Sequence, residues 1–196
     1  NPDGITIANE RIYTADTDGM NWPSQSTRVS VVDINSFEFE KTITVSLNPN
    51  YIYSDSDGDV YVICMSDYSD DKSYIVQRID AKTDEVKTVE GIKAYKMTVA
   101  DDIAYIMFND YYANEVKYYK YDLKNEKLLS DNFITDGTVV SSPNGIGVDP
   151  VTGDIYVGKS NKKNNGDVYV FSSEGKLKSQ FETLPYPADF VFMTNK

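Results

Sequence analysis

The chain contains no histidine and a single cysteine among its 196 residues. Without histidine, the chain cannot supply a Ser-His-Asp or Cys-His nucleophilic system, nor a histidine-ligated zinc, copper or non-haem iron site. Cys64 lies in the apolar run VYVICM and has no second cysteine with which to form an internal disulfide. We therefore expect it to be a small buried apolar side chain.

The sequence also lacks long apolar runs and an excess of basic residues. No run approaches the length of a membrane span, and no amphipathic run of helical period stands out. The 31 acidic and 19 basic residues give a net charge of −12, which argues against binding to nucleic-acid phosphates or anionic lipid. Hydrophobic residues make up 40% of the chain, which is enough for a packed core.

Two landmarks recur along the chain at nearly constant spacing. An apolar residue or Ala followed by Tyr begins a β-run at Tyr13, Tyr61, Tyr105 and Tyr156, with intervals of 48, 44 and 51 residues. A second β-run ends at Asp33, Asp80, Asp122 and Ser172, with intervals of 47, 42 and 50 residues. Such spacing is typical of a four-stranded blade rather than of a helical repeat.

A proline marks the entry to the first strand of most repeats. Pro2, Pro49, Pro143 and Pro187 each begin an extended run, while the third repeat has Ala94 at that place. Proline cannot donate a ladder hydrogen bond, so it suits the start of a strand. Each repeat then provides strand a (GITIA, YIYSD, KMTVA, GIGVD), strand b with the tyrosine, strand c, and a more polar strand d (FEKTITV, EVKTVEG, LLSDNFI, KLKSQFE).

These patterns predict an all-β fold, a β-propeller with about four four-stranded blades in a single domain, 1–196. The repeats run roughly over 1–48, 49–93, 94–142 and 143–186, followed by a closing strand at 187–196. Asp-, Asn- and Gly-rich turns join strands a and b, and Asp-led turns join strands c and d. The b–c and d–a connections fall on the opposite face, where their variation in length indicates binding.

Two phrases resemble a known group of proteins. DPVTGDIYV followed by DVYVFSSEGKL resembles the repeat of YncE-like β-propellers, which are related to NHL and quinoprotein-type propellers. SPNGIGVDPVTGDIYVGKSN together with PADFVFM resembles Bacteroides-type cell-surface propellers, described as surface-layer or quinoprotein-like proteins. One branch of these captures cobalamin on an outer-membrane corrinoid transporter. The resemblance is carried by short phrases and covers all four repeats.

The resemblance implies a ring of seven blades, so we expect this chain to be the C-terminal part of a larger propeller. Two alternatives are a pair of chains forming an eight-bladed ring and a free-standing disc of four blades. The resemblance also implies an exported protein of the cell surface or periplasm, such as a lipoprotein anchored through a segment outside this chain.

Carboxylates are the remaining groups for chemistry, and no pair of them stands out among so many. We therefore expect no catalysis by this chain and no cofactor. Asp55-Ser56-Asp57-Gly58-Asp59 and Asp16-Thr17-Asp18-Gly19 alternate Asp with Gly as calcium loops do, but both lack the terminal bidentate Glu. Turn chemistry is the favoured interpretation of both segments, with calcium as the alternative.

The b–c loops contain the candidate ligand-binding residues. Each loop follows an Asp or Asn at the end of strand b, at Asp16, Asp67, Asp110 and Asn161. Aromatic residues accompany them at Trp22, Tyr68, Tyr111 and Tyr112, with Tyr186 in a d–a connection. Flat rings beside amides and carboxylates stack on sugars or macrocycles, although tyrosine is also the common surface aromatic of this chain. Lys162 and Lys163 add a local positive patch, either for an anionic group or simply solvated.

From this face we predict a non-catalytic binding protein that captures a corrinoid or glycan for uptake, with an outer-membrane transporter or envelope protein as partner. The alternative is a structural or protein-interaction propeller of the cell envelope without a small ligand. Neither hypothesis includes nucleic acid or a membrane-spanning segment.

Overall fold

A computed structural model describes residues 2–67, 74–110 and 115–193. The described part contains sixteen β-strands in four four-stranded antiparallel sheets, and each sheet pairs its strands in chain order. The only helical turn in this part is a 3₁₀ turn at Gly19–Asn21. The prediction of an all-β chain with four blades is confirmed.

The strands follow the predicted a–b–c–d order in each blade. Blade 1 contains β1 (Pro2–Ala8), β2 (Arg11–Asp16), β3 (Arg28–Asp33) and β4 (Phe39–Thr44). Blade 2 contains β5 (Pro49–Ser54), β6 (Val60–Cys64), β7 (Ile75–Ile79) and β8 (Val86–Lys93). Blade 3 contains β9 (Lys96–Ala100), β10 (Ile103–Asp110), β11 (Glu115–Asp122) and β12 (Lys127–Ser130). Blade 4 contains β13 (Pro143–Val148), β14 (Ile155–Asn161), β15 (Asn164–Phe171) and β16 (Leu177–Thr183).

The chain divides into two compact units of two blades each. Unit 1 spans residues 1–95 and contains blades 1 and 2, and unit 2 spans residues 96–196 and contains blades 3 and 4. The single domain predicted for 1–196 stays a prediction. No helix in the described residues is long and apolar enough to cross a membrane.

The proline landmarks coincide with irregular strand pairing. The a–b register shifts just after Pro2, Pro49 and Pro143, whereas blade 3, which lacks the proline, pairs β9 with β10 without a shift. Proline has no N–H to donate, so the ladder is interrupted where it stands. The repeated proline therefore sets the point at which regular pairing of strand a begins.

The short a–b turns adopt the left-handed backbone that their sequences predict. Asn9 and Glu10 in blade 1, and Asp101 and Asp102 in blade 3, all have φ between 50° and 59°. Two consecutive left-handed residues match the right-handed twist of the strands that they join, which is why Asn and Asp are common there.

The core of unit 1 lies between its two sheets. Tyr13 on β2 is 1% exposed, and it packs in one cluster with Val29, Val31, Ile52 and Val62. Because the apolar face of a sheet must be buried, each of these sheets needs a second sheet to cover it. Cys64 belongs to this cluster, and burial raises the pKa of its thiol to about 12. The prediction of a small buried side chain at Cys64 is confirmed.

Unit 2 repeats this packing with larger aromatic residues. Tyr105, at the position of Tyr13, is buried and meets the ring of Phe133 edge-on, with 5.7 Å between ring centroids. Tyr156 is half-buried and packs against Phe190 and Phe192, at 5.7 and 5.1 Å between centroids. The recurring tyrosines are thus packing elements of the repeat, as predicted.

Glycines in strand a allow the next extended segment to approach closely. A Cβ on Gly4 of β1 would lie 2.7 Å from the carbonyl oxygen of Asn50 on β5. In unit 2, a Cβ on Gly145 of β13 would lie 2.5 Å from the carbonyl oxygen of Ala188. Pro49-Asn50 and Pro187-Ala188 are equivalent in the repeat, so residues 187–190 sit on blade 4 as β5 sits on blade 1.

The closing strand predicted at 187–196 requires a correction. Residues 187–193 belong to none of the described sheets, and residues 194–196 lie outside the described part. The segment is held instead by packing on β13 and by Lys96, whose buried ammonium donates to the carbonyl of Ala188 at 2.7 Å and pairs with Asp189. It occupies the place of a strand a without the neighbouring strand b that would give it a ladder.

The recurring aspartates cap turns, as predicted. Asp33 Oδ1 accepts hydrogen bonds from the backbone N–H groups of Asn35 and Ser36 at 2.9 and 2.8 Å. Asp80 Oδ1 accepts them from Lys82 and Thr83 at 3.0 and 2.9 Å. These backbone donors stabilise the carboxylate form, so they lower the pKa of Asp33 and bring that of Asp80 to about 2.

We expect acid to destabilise the chain through these caps. The pKa of folded Asp80 lies below the value of about 3.9 for an unfolded chain, so its contribution is present above pH 4 and is lost as the pH falls towards 2. Asp80→Asn should lower the free energy of unfolding at pH 7 and flatten its fall in acid, as measured by urea denaturation from pH 7 to pH 2. The control is Glu90→Gln, which removes an exposed carboxylate outside a turn. Equal pH dependence in wild type and Asp80→Asn would contradict the cap.

We also expect that Gly145→Ala will loosen the segment 187–190. The new Cβ would lie 2.5 Å from the carbonyl oxygen of Ala188, so the segment must shift, at a cost of about 1–3 kcal/mol. Urea denaturation and limited proteolysis after residue 186 would measure both effects. The control is Gly19→Ala, whose Cβ finds its nearest atom at 3.8 Å. If the two variants behaved alike, the close packing on β13 would be wrong.

Candidate functional site

In each antiparallel sheet, the b–c loop and the d–a connections lie at the same end of the strands. We call this end of the sheet the loop edge. The predicted binding residues follow strand b at this edge, because consecutive antiparallel strands return every second connection to the same end. Tyr68, Tyr111 and Tyr112 lie outside the described residues. Asp110 is the last residue of β10, opposite Glu115, and its side chain is outside the described part.

In unit 1 the structure brings Trp22 and Asp67 together. The indole Nε1 of Trp22 donates a hydrogen bond to the backbone carbonyl of Asp67 at 3.0 Å, and 65% of the Trp22 residue is exposed. The b–c loops of blades 1 and 2 therefore meet at this point. The ring is exposed, and a ligand-binding role for Trp22 and Asp67 stays a prediction.

Asp16 makes its hydrogen bonds inside its own blade. Its carboxylate accepts from the hydroxyls of Thr14 at 3.0 Å and Ser30 at 2.5 Å, and Arg28 Nε lies 4.0 Å away. Only 8% of the residue is exposed. The structure therefore gives Asp16 the role of joining β2 to β3 at the loop edge.

The proposed calcium loops use their oxygens in a similar way. Asp55 Oδ1 accepts from the backbone N–H groups of Asp57 and Asp59 at 3.0 and 2.9 Å. Asp59 in turn binds the guanidinium of Arg78, with Nε at 2.9 Å. Among the described residues no three acidic or cysteine side chains converge as metal ligands. This geometry is that of a turn, and the calcium alternative for Asp55–Asp59 and Asp16–Gly19 stays a prediction.

In unit 2 the predicted residues Asn161 and Tyr186 differ in their surroundings. Asn161 Nδ2 donates to the carbonyl of Asn165 at 2.8 Å and to the carboxylate of Asp167 at 3.0 Å, so it shapes the hairpin of blade 4. Tyr186 is 55% exposed, with a left-handed φ of 59°. It lies between β16 and the segment that packs on β13.

A surface cavity of about 510 Å³ opens at the loop edge of unit 2. It lies between the b–c end of blade 3, the connection 131–142 and the hairpin of blade 4. Its polar walls are formed by Asn109, Asn132, Thr138, Ser141, Ser142 and Lys162. Its apolar walls are formed by Val116, Tyr118, Ile134, Val139 and Val140.

The back wall of the cavity is fixed by aromatic packing. Tyr118 on β11 donates its hydroxyl to the carbonyl of Val140 at 2.7 Å, and its ring meets Phe133 edge-on at 5.4 Å between centroids. Burial raises the pKa of Tyr118, and the nearby Tyr169 raises it further by a smaller amount. The phenol is therefore protonated at neutral pH. Tyr118 therefore acts as a wall and a donor to the backbone, and it is no base.

The connection 131–142 is anchored to both blades of unit 2. Phe133 N–H donates to the carbonyl of Tyr118 at 2.8 Å on blade 3, and Thr135 N–H donates to the carbonyl of Gly175 at 2.9 Å on blade 4. The carboxylate of Asp136 accepts from the N–H of Leu177 at 2.7 Å, and this bond is the main cause of its lowered pKa. Several anchors of this kind hold a long loop in one shape, so the cavity is preformed.

The connection 131–142 is not among the binding residues predicted from the sequence. The d–a connections 45–48 and 94–95 are short, whereas residues 131–142 fill the equivalent place between blades 3 and 4. Its length was the available signal, because function in a repeat protein collects where the repeats differ. The prediction named mainly aromatic and acidic residues, whereas this loop is rich in Ser, Thr and Val.

The cavity offers recognition groups and few reactive ones. Its described walls supply amides, hydroxyls, one ammonium and apolar surface, and none of the eleven residues is Asp, Glu or Cys. Such a lining orients a ligand through hydrogen bonds and covers its apolar parts.

No protein-family model and no curated protein matches this chain. Solved structures do resemble it. The hydrazine synthase of Kuenenia stuttgartiensis has 14% identity and a TM-score of 0.64, and the match covers 88% of this chain and 51% of that one. A structure titled Dos1 propeller has 13% identity and a TM-score of 0.64, covering 94% and 48%.

A quinoprotein alcohol dehydrogenase-like protein from Bacteroides thetaiotaomicron has 18% identity and a TM-score of 0.63. That match covers 91% of this chain and 45% of the other. The chain thus spans about half the length of the structures that it matches. At these identities the likeness shows the fold alone, and the four sheets are four-stranded blades of a β-propeller.

Proposed function

We propose that this chain is a non-catalytic binding protein that holds a glycan in the cavity of unit 2. The observation that carries the proposal is the position of the cavity. It opens at the loop edge, where the b–c loops and d–a connections of the repeat vary, and part of its wall is 131–142, the longest d–a connection among the described residues. Propellers commonly bind through such loops, because the sheets beneath keep the loops in place.

The size of the cavity supports a small ligand. A volume of about 510 Å³ lies within the range of about 300–1,000 Å³ that is usual for small-molecule sites. A sugar unit or a disaccharide suits this space better than a corrinoid, whose broad macrocycle carries a nucleotide loop as well. The size therefore favours the glycan over the corrinoid among the two predicted ligands.

The chemistry of the walls supports the same ligand. Sugars present hydroxyls around their rim and C–H groups on their faces, so they need donors and acceptors beside apolar surface. Asn109, Thr138 and Ser141 provide the former, and Val116 and Ile134 provide the latter. The absence of carboxylate and thiol groups from the described walls supports binding without catalysis.

The resemblance to Bacteroides-type surface propellers supports the setting. We propose that the protein works at the cell surface or in the periplasm and passes its ligand to an outer-membrane transporter. The surface-layer and cobalamin-capture assignments stay predictions.

A protein-interaction propeller is the second candidate. Ile5 and Ile7 on β1 are 66% and 59% exposed, whereas Ile52, at the position of Ile5 in the repeat, is buried against blade 1. Exposed apolar residues along a strand favour contact with another apolar surface, which a further blade or a partner protein would supply. In that function the loop edge of unit 2 would bind no small ligand.

Calorimetric titration with disaccharides and with cyanocobalamin tests the proposal. We expect saturable disaccharide binding at about millimolar affinity or tighter, roughly −4 kcal/mol or better. Asn109→Ala should weaken it about fivefold through one lost hydrogen bond, and Ser141→Trp should abolish it by filling the cavity. Calorimetry is preferred to fluorescence, because the only tryptophan belongs to unit 1.

The control for Asn109→Ala is Asn35→Ala, which removes an exposed amide from a turn of unit 1. Sugar binding that survives Ser141→Trp would move the site away from the cavity. Binding of cyanocobalamin alone would favour the corrinoid, and binding of neither ligand would leave the protein-interaction propeller.

A further inference from the structure

We infer that the ligand of this cavity is an acidic sugar whose carboxylate is bound by Lys162. The inference rests on the proposed function, since it names the class of glycan that the same cavity selects. The charged residues of the cavity differ from those of the rest of the chain. The chain has 31 acidic residues, yet none is among the eleven described wall residues, and the one charged wall residue is a lysine.

The backbone of blade 4 determines where Lys162 lies. Lys162 and Lys163 form the two-residue loop between β14 and β15, and Lys162 has a left-handed φ of 60°. Asn161 fixes the base of this loop through its hydrogen bond to the carbonyl of Asn165. Of the two adjacent lysines, Lys162 is the one in the cavity wall.

A second contact ties this hairpin to the opposite wall. The N–H of Ser160 donates to the carbonyl of Ser142 at 3.0 Å, and the N–H of Lys162 donates to Ser160 Oγ at 3.2 Å. Lys162 therefore stands beside the end of the connection 131–142. Ser141 and Ser142, at the end of this connection, are wall residues of the same cavity.

A cavity wall that contains an ammonium group and two hydroxyl groups is suited to binding a carboxylate. Hydrogen bonds from a cation to a carboxylate are about twice as strong as those between neutral groups. The described wall residues include no carboxylate, so none of them adds the repulsion of an acidic side chain. Val116 and Ile134 leave apolar surface for the sugar ring. A neutral sugar would gain the hydroxyl contacts but not the charged one.

The net charge of −12 makes a local cation necessary for such a ligand. The chain as a whole repels anions, although salt screens this repulsion beyond about 8 Å at physiological ionic strength. Selection of an acidic sugar must therefore arise within the cavity. Since salt would weaken both the distant repulsion and the local attraction, a matched pair of ligands is a sharper test than a salt series.

The test compares digalacturonate with its neutral counterpart galactobiose in calorimetric titrations of the wild-type chain. The two disaccharides differ at C6, where one has a carboxylate and the other a hydroxymethyl group. We expect digalacturonate to bind about tenfold more tightly. Lys162→Gln should remove this difference by weakening the binding of digalacturonate about tenfold. The control is Lys163→Gln, which removes the same charge from the same loop and should keep the preference.

Equal binding of the two disaccharides, or a preference that survives Lys162→Gln, would overturn this inference. In that case loss of sugar binding in Ser141→Trp would still support the glycan cavity. If wild type bound neither disaccharide, the inference and the glycan proposal would fall together. A loss of preference in both lysine variants would assign the selectivity to net charge rather than to Lys162, which also contradicts the inference.

Discussion

The need to cover the apolar side chains of each four-stranded sheet determines how this structure packs. Tyr13 packs in one cluster with residues of both blades of unit 1, and Tyr105 meets the ring of Phe133 in the connection 131–142. Close approach of the two sheets is made easier by glycine in strand a, where a side chain would meet the neighbouring backbone. The repeated tyrosine, together with the strand-a glycine of blades 1 and 4, serves close packing between neighbouring segments of the repeat, and this packing fits the regular spacing of the chain.

The acidic character of the chain has a structural origin in its turns. Asp33, Asp80 and Asp122 end strand c, and each accepts hydrogen bonds from groups in the turn that follows. In blade 4 the hydroxyl of Ser172 takes the same place. A carboxylate in this position accepts hydrogen bonds from backbone N–H groups that a tight turn would otherwise leave unpaired. Much of the negative charge therefore belongs to the repeat and identifies no ligand.

The candidate site arises where the repeat is broken. Two of the three connections between blades, 45–48 and 94–95, are short and lead directly from strand d to the next strand a. The connection 131–142 does more, because Phe133 inserts between Tyr105 and Tyr118 while Asp136 and Thr135 bind blade 4. The part of the connection that follows these anchors, from Thr138 to Ser142, forms one wall of the cavity. The proposed acidic-sugar site thus combines an irregular connection with a hairpin lysine, on a scaffold that is otherwise regular.

Sequence spacing alone determined the all-β class, the four blades, the order of their strands and the capping role of Asp33 and Asp80. Those features depend on local periodicity, on turn chemistry and on the missing N–H of proline, all of which can be read from neighbouring residues. Only the tertiary structure decided the rest. In the structure, Asp16 and Asn161 form hydrogen bonds within their own blades. Residues 187–190 pack on β13 without forming the hydrogen bonds of a strand ladder. The tertiary structure also brought Asn109, Ser141 and Lys162 around one cavity. These outcomes depend on contacts between residues far apart in the chain, which no local pattern records.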